Sequence, residues 1–406
     1  MPGTWLLGQR SGTGPTAGAT LGRGGAGTPA RSGDEPRAIL LSLRTEGTRG
    51  ATGTGDGDGS SSLDELARLA DTDGLAVVGQ LTQARDRPDP ATYLGSGKVE
   101  ELARLAEQVD ADLVIADGEL SPAQLRNLED STGVRVVDRT ALILDIFAEH
   151  ARSHEGKAQV ELAQLAYQLP RLRGGGQALS RIGGGRVAGG AGIGVRGPGE
   201  QRLETQRRRL RQRMTTLRRQ IAQLARRRET TRRRRAHNRV PSVAITGYTN
   251  AGKSALLNRL TGADALVEDA LFATLDPIVR RAVLPDGSPH TFADTVGFVR
   301  HLPHQLVDAF RSTLDEVAAA DLVLHVVDAS APDAMDQVTT VRGVLHEIGA
   351  THRPELLALN KIDAAPPEWV KALQQAYPDA VRVSARTGEG LDRLRQEISR
   401  RLDGTR

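Results

Sequence analysis

The chain has 406 residues and no cysteine, which at roughly 100–200 residues per domain implies two or three domains and excludes disulfide frameworks and thiolate metal sites. No apolar run approaches the length needed to span a bilayer, and Met1 to Leu7 has no basic stretch leading into an apolar core, so neither membrane insertion nor a signal peptide is expected and the cytoplasm is the expected compartment. The formal charge of +4 hides a strong asymmetry: residues 200–239 hold 16 Arg and 3 Glu, a local +13, so the rest of the chain carries −9. A concentrated basic segment points to a polyanionic partner, while 3% aromatic residues argue against modules that stack bases.

Residues 1 to about 37 are rich in Gly, Thr, Ser and Arg and are expected to be disordered. Ala38 to Leu43 reads as a strand, and Gly47 to Ser62 as a second flexible tract. From there to residue 138 strands (Leu75 to Val78, Asp112 to Ala116) alternate with helices (Val99 to Val109, Pro122 to Leu128), which predicts a small α/β domain over 38–138. The cluster Gly95-Ser96-Gly97-Lys98 lacks the full spacing of a phosphate loop and is read mainly as a turn capping a helix, with a ligand or RNA role as the alternative.

Residues 139–239 are expected to form an antiparallel helical hairpin. One heptad stripe runs through Leu162, Leu165, Leu169 and Leu172, the other through Leu203, Leu210, Met214, Leu217, Ile221 and Leu224. Between them, residues 174–199 carry glycine runs with Arg181, Arg186 and Arg196, a basic tip able to approach a phosphate backbone closely, or else a plain connector.

From Val240 to the C-terminus the alternation predicts a doubly wound α/β domain, 240–406. Its opening strand runs into Gly247-Tyr248-Thr249-Asn250-Ala251-Gly252-Lys253-Ser254 and then a helix, the strand–loop–helix setting in which backbone N–H groups wrap phosphates. Lys253 is expected on the β/γ oxygens and Ser254 on Mg²⁺. Thr274, within Phe272-Ala273-Thr274-Leu275-Asp276, is the candidate second hydroxyl for the metal. Asp294-Thr295-Val296-Gly297 follows, with Asp294 holding the metal's water shell and Gly297 offering its N–H to the γ-phosphate, so Lys253, Thr274 and Gly297 are the candidate catalytic residues.

Asn360-Lys361-Ile362-Asp363 then selects guanine, because one carboxylate can accept from both N1–H and N2–H and adenine offers neither. Ser384-Ala385-Arg386 closes the pocket. The expected ligands are therefore GTP and GDP. Phe298 stands where a glutamine commonly orients the attacking water, so hydrolysis is expected to be slow until a partner assists; Arg300 and Arg311 lie nearby without a clear assignment as arginine fingers.

Taken together these motifs resemble the HflX family of translational GTPases, from about residue 38 to 404. The most specific pieces are Tyr93 to Leu102, Gly197-Pro198-Gly199-Glu200 with Leu203-Glu204-Thr205, Leu271 to Pro277, Asp294 to Arg300, Leu302-Pro303-His304 and Ala309 to Leu314. The resemblance implies a factor of the large (50S) ribosomal subunit and its rRNA, with the hairpin loop reaching toward the peptidyl-transferase region. In that family the GTP-bound protein can split stalled ribosomes, and some members protect against antibiotics. The chain departs from the family pattern at Gln201, Arg202 and Gln206, has Gly175 where a tryptophan is common, and is expected to lack a small C-terminal extension. A GTP-gated RNA-binding checkpoint in ribosome assembly is the alternative function, and a merely solvated face is the alternative for Arg207 to Arg235. The two stripes are expected to pair within one chain, giving a monomer.

Overall fold

The computed structural model describes residues 35–44, 57–172, 198–237, 240–262, 271–272, 274, 278–283, 287–300 and 311–403. The N-terminal tail to residue 34, the glycine-rich stretch 173–197, and Ala273, Leu275, Asp276, Leu302 to His304, Ala309 and Phe310 lie outside these residues. Two compact units are present, one within Met1–Glu149 and one within His150–Arg406.

The first unit is built on a four-stranded parallel sheet in the order β2-β1-β3-β4, with β1 Arg37–Arg44, β2 Ala76–Ala84, β3 Leu113–Ala116 and β4 Arg135–Asp138. Central β1 and β3 are buried on both faces, whereas β2, expected from its apolar start to be a buried strand, is largely half-buried. It lies at the edge of the sheet, and among the described strands it pairs with β1 alone. Helix α1 (Gly57–Thr72) begins inside the tract expected to be flexible. Leu63, Leu66, Leu69 and Ala70 give it one buried face, and the burial of that stripe outweighs the weak helix propensity of the glycines and serines before it.

Helices α2 (Ser96–Gln108) and α3 (Pro122–Thr132) cover one face of the sheet through Val99, Leu102, Ala106 and Leu128. Gly95 is the N-cap of α2, its N–H bound by Gln83 Oε1 at 2.9 Å, and Lys98 is paired with Glu101 at 2.8 Å. Helix α4 (Arg139–His150) is buried from Arg139 to Phe147 on every side, so the sequence change expected at residue 139 falls at the start of a core helix.

In the second unit α5 (His154–Arg171) packs against α6 (Pro198–His237), a 40-residue helix about 60 Å long. The stripe read on α6 is present: Met214 and Leu217 are buried, and Leu203, Leu210, Ile221 and Leu224 are half-buried. On α5 the expected stripe is half-buried, and a second set is buried more deeply. Gly156, Gln159, Val160, Ala163 and Tyr167 are buried, while Leu162, Leu165, Leu169 and Leu172 are half-buried. Both sets recur at heptad spacing, and the set of Gly156, Val160, Ala163 and Tyr167 is the more deeply buried. Arg213 ties the pair together with both Glu161 oxygens at 2.6 Å.

The remainder of the unit is a six-stranded sheet ordered β10-β9-β8-β5-β7-β6. Its strands are β5 Ser242–Gly247, β6 Ile278–Val283, β7 Pro289–Asp294, β8 Leu322–Asp328, β9 Glu355–Asn360 and β10 Val381–Arg382, all parallel except edge strand β6. Alternate side chains of β8 and β9 supply two cores. Leu322, Leu324, Val326, Leu356 and Ala358 pack with helices α7 (Lys253–Thr261) and α11 (Leu391–Asp403). Val327, Leu357 and Leu359 pack with α9 (Ala334–Glu347) and α10 (Pro367–Ala376). Helices on both faces make this a doubly wound α/β domain, with α8 (Arg311–Ala319) leading into β8. Strand β5 sits where the strand order reverses, and its carboxyl end opens into the crevice where such sheets bind ligands.

Candidate nucleotide site

The loop after β5 has backbone demands that explain its glycines. Gly247 (φ 150°) lies so close to the Val326 carbonyl that a Cβ could not fit, and Gly252 (φ 87°) abuts the Asn360 amide. Asn250 adopts a left-handed φ of 58°. The loop then enters α7 at Lys253, leaving the first helical N–H groups aimed at the crevice. Lys253 is buried, its Nζ donating to the Tyr248 carbonyl at 2.8 Å. Burial pushes its pKa down to about 8; the Asp294 charge opposes this and Lys361 adds to it.

Three hydroxyl and carboxylate oxygens converge beside it. Ser254 Oγ donates to Asp294 Oδ2 at 2.5 Å and lies 2.9 Å from Thr274 Oγ1, which is 3.2 Å from the same carboxylate oxygen. Asp294 is fully buried, so its pKa is pushed up, and its Oδ1 has no hydrogen-bond partner among the described residues. Thr295 anchors to the Ile245 carbonyl at 2.8 Å, and Val296 is buried. A Cβ at Gly297 would stand 2.9 Å from Lys253 Nζ and 2.8 Å from Thr249 Cγ2. Phe272 is buried with φ 61°.

Asn360 is almost fully buried and links two neighbouring loops. Its Nδ2 donates to the Ala251 carbonyl at 2.8 Å and its Oδ1 accepts from Ala385 N–H at 3.0 Å, joining the phosphate loop to the Ser384-Ala385-Arg386 loop. Lys361 (φ 62°) is held by Asp328 Oδ2 at 2.8 Å. Asp363 receives the Ser384 hydroxyl on Oδ1 and Arg386 Nη2 on Oδ2, both at 2.6 Å. The serine hydrogen bond above all, aided by the arginine, holds its carboxyl below the usual range. Ile362 follows in the turn, its N–H directed to the Val383 carbonyl at 3.4 Å.

The sequence matches known GTPases along most of its length. Three family models match in succession: GTP-binding GTPase N-terminal over residues 60–148, GTP-binding GTPase Middle Region over 150–235, and 50S ribosome-binding GTPase over 242–361. GTPase HflX of Caldanaerobacter subterraneus is 48% identical, covering 91% of this chain and 81% of that protein. GTPase HflX of Escherichia coli is 44% identical, covering 84% and 79%. The chain belongs to the HflX family of GTPases. It binds GTP and hydrolyses it. Among solved structures, a GTP-binding protein of Sulfolobus solfataricus in complex with GDP is 24% identical, covers 91% of this chain and all of its own, and has a TM-score of 0.43.

In this HflX-family site Phe298 is fully buried and cannot reach into the crevice. Its N–H donates to the Gly247 carbonyl at 3.1 Å and its carbonyl accepts from Thr249 N–H at 2.7 Å, so the segment after Gly297 is paired onto the phosphate loop like a short strand. Arg300 is also turned away: its N–H donates to the Tyr248 hydroxyl at 2.7 Å and its guanidinium pairs with Asp333 at 2.8 Å. Sequence reading missed Asp328, Asp333 and Arg259. The first lies at the end of a recognisable strand, where a site residue is expected. Arg259 gives no such signal, because its partners are backbone carbonyls 126 and 127 residues away.

No helix among the described residues is long and apolar enough to cross a membrane.

Proposed function

We propose that this HflX-family GTPase is a cytoplasmic, monomeric factor of the large (50S) ribosomal subunit that splits or rescues stalled ribosomes, with antibiotic protection as one consequence. The observation that carries the reading is the outer surface of α6. Arg208, Arg209, Arg211, Arg218, Arg219 and Arg226 are all exposed along one continuous helix. Burial of the opposite stripe against α5 leaves these arginines directed outward, a stiff cationic rod suited to rRNA phosphates. The match of residues 242–361 to a 50S ribosome-binding GTPase model supports the same partner.

In the nucleotide site, Gly247 to Ser254 would wrap the phosphates of GTP, and Lys253 would exchange the Tyr248 carbonyl for the β/γ oxygens. Hard oxygens of Ser254, Thr274 and Asp294, already 2.5–3.2 Å apart, suit Mg²⁺. Ser254 and Thr274 would ligate that ion directly and Asp294 would hold its water shell. When bound, Mg²⁺ supplies charge neutralisation between the β- and γ-phosphates. Gly297 N–H would donate to a γ-phosphate oxygen, since the lack of a Cβ leaves the space open. Asp363 would read guanine N1–H and N2–H, with Lys361 along the base and Ala385 and Arg386 closing over it.

With Phe298 buried and Arg300 paired to Asp333, neither of these side chains is ready to orient water, so turnover alone is slow and the ribosome raises it. The test is GTP turnover by the purified protein alone, with large subunits, and with whole ribosomes, beside sedimentation of ribosomes incubated with a non-hydrolysable GTP analogue. Stimulation together with loss of intact ribosomes is expected. Salt-sensitive binding without that loss would favour a GTP-gated checkpoint in ribosome assembly, and unchanged turnover would remove the ribosome as activator.

A further inference from the structure

We infer that Arg259 is a specificity-positioning residue of the guanine site: its guanidinium fixes the loop carrying Ser384 and so keeps the Asp363 carboxylate aimed at the base. The inference rests on the reading of Asp363 as the guanine acceptor. Arg259 lies in the last turn of α7, the helix whose first residues are Lys253 and Ser254. Its Nε donates to the Ala385 carbonyl at 2.8 Å and its Nη2 to the Arg386 carbonyl at 2.7 Å. One planar fork thereby holds two consecutive carbonyls, a task for which arginine is shaped and lysine is not.

The consequence follows from peptide geometry. In a trans peptide the C=O and N–H point in opposite directions. Tying the Arg386 carbonyl to Arg259 therefore turns the N–H of that peptide, on Thr387, the other way, where it donates to Ser384 Oγ at 3.0 Å. With that lone pair filled, the Ser384 hydroxyl places its proton on Asp363 Oδ1 at 2.6 Å. A continuous chain of hydrogen bonds runs from the Arg259 cation through one peptide and one hydroxyl to the carboxylate. The base of the fork is itself held, since Arg395 Nη2 donates to the Arg259 carbonyl at 2.7 Å and Arg395 Nη1 pairs with Asp392 at 3.0 Å.

The other Asp363 oxygen is held by Arg386, whose side chain is 77% exposed. That outer arm yields readily to an entering base. The inner arm through Ser384 stays, because each carboxylate oxygen has room for a second donor. Arg259 touches no nucleotide atom in this account; it acts through the loop.

The experiment compares the affinities of the full chain for GDP and for inosine diphosphate, which lacks the exocyclic amino group that Asp363 reads. Arg259→Ala is expected to weaken GDP by about tenfold and inosine diphosphate by only about twofold, narrowing the preference. Arg259→Lys, with a single point-like cation, should fall between wild type and Arg259→Ala. Loss of both ligands by the same factor, or loss of neither, overturns the inference, because a general weakening of the fold would not change the ratio. Asp363→Asn separates the two levels. If that variant keeps the GDP preference, the reading of Asp363 itself is wrong; if it abolishes the preference while Arg259→Ala leaves the ratio at the wild-type value, only the role of Arg259 fails. Should Arg259→Ala not fold, Arg259→Lys carries the same comparison.

Discussion

Asn360→Ala should uncouple the two halves of the nucleotide site and cost more than its surface chemistry suggests. The side chain joins the Ala251 carbonyl to the Ala385 N–H through two hydrogen bonds of 2.8 and 3.0 Å, and all three residues are buried. Truncation leaves one acceptor and one donor without partners, and each buried unsatisfied group costs about 1–3 kcal/mol. Relaxation and water entry recover part of that sum, so the expected loss is about 2–4 kcal/mol. For a domain of this size it lowers the melting midpoint by roughly 4–16 °C. Asn360→Asp should be no milder, because it keeps the acceptor for Ala385 but sets a second acceptor against the Ala251 carbonyl. Thermal melts with and without excess GDP measure both consequences, since binding adds stability in proportion to the logarithm of ligand over Kd. A midpoint within about 2 °C of wild type, with the GDP-induced shift intact, would refute the bridge.

Phe298→Gln should not restore a water-orienting group. The side chain is fully buried and its backbone is paired to Gly247 and Thr249, so the amide is buried at a cost of about 1–3 kcal/mol; a faster single-turnover rate would contradict this. Leu217→Ala should weaken the packing of α5 on α6 by about 2–5 kcal/mol, seen as an earlier loss of helical circular dichroism in urea, because Leu217 is almost fully buried. Asp73, buried and facing Asp145 and Glu149, has its pKa pushed up to about 8, chiefly by desolvation. The folded state therefore holds a proton that the unfolded chain has released above its ordinary value, and stability falls as pH rises toward 8. Asp73→Asn should stabilise the first unit more at pH 8 than at pH 5 in denaturant titrations, and an equal gain at both would rule out the titration.

The motifs read as phosphate- and guanine-binding were legible in the sequence because they are local. Gly247 to Ser254 and Asn360 to Asp363 each contain, within a few residues, the backbone freedom and the charged groups their ligands require. The stripe on α6 was legible for a similar reason, since apolar residues in an Arg-rich helix can serve little besides contact. On α5 two heptad sets were available, and the fold buries Val160, Ala163 and Tyr167 more deeply than Leu162, Leu165 and Leu169, a choice that spacing alone does not make. Gly57 to Ser61 form helix although composition argues for flexibility, because Leu63, Leu66 and Leu69 downstream bury one face and cooperativity extends the turn backward.

The burial of Phe298, the pairing of Arg300 with Asp333 and the grip of Arg259 on two carbonyls depend on strands and loops from distant parts of the chain meeting at one end of the sheet. The sequence by itself determined which ligand chemistry is present. The tertiary structure decided which groups come together at the crevice and which hold them in place, because hydrogen bonds to backbone carbonyls leave no mark on the identity of the residues that accept them.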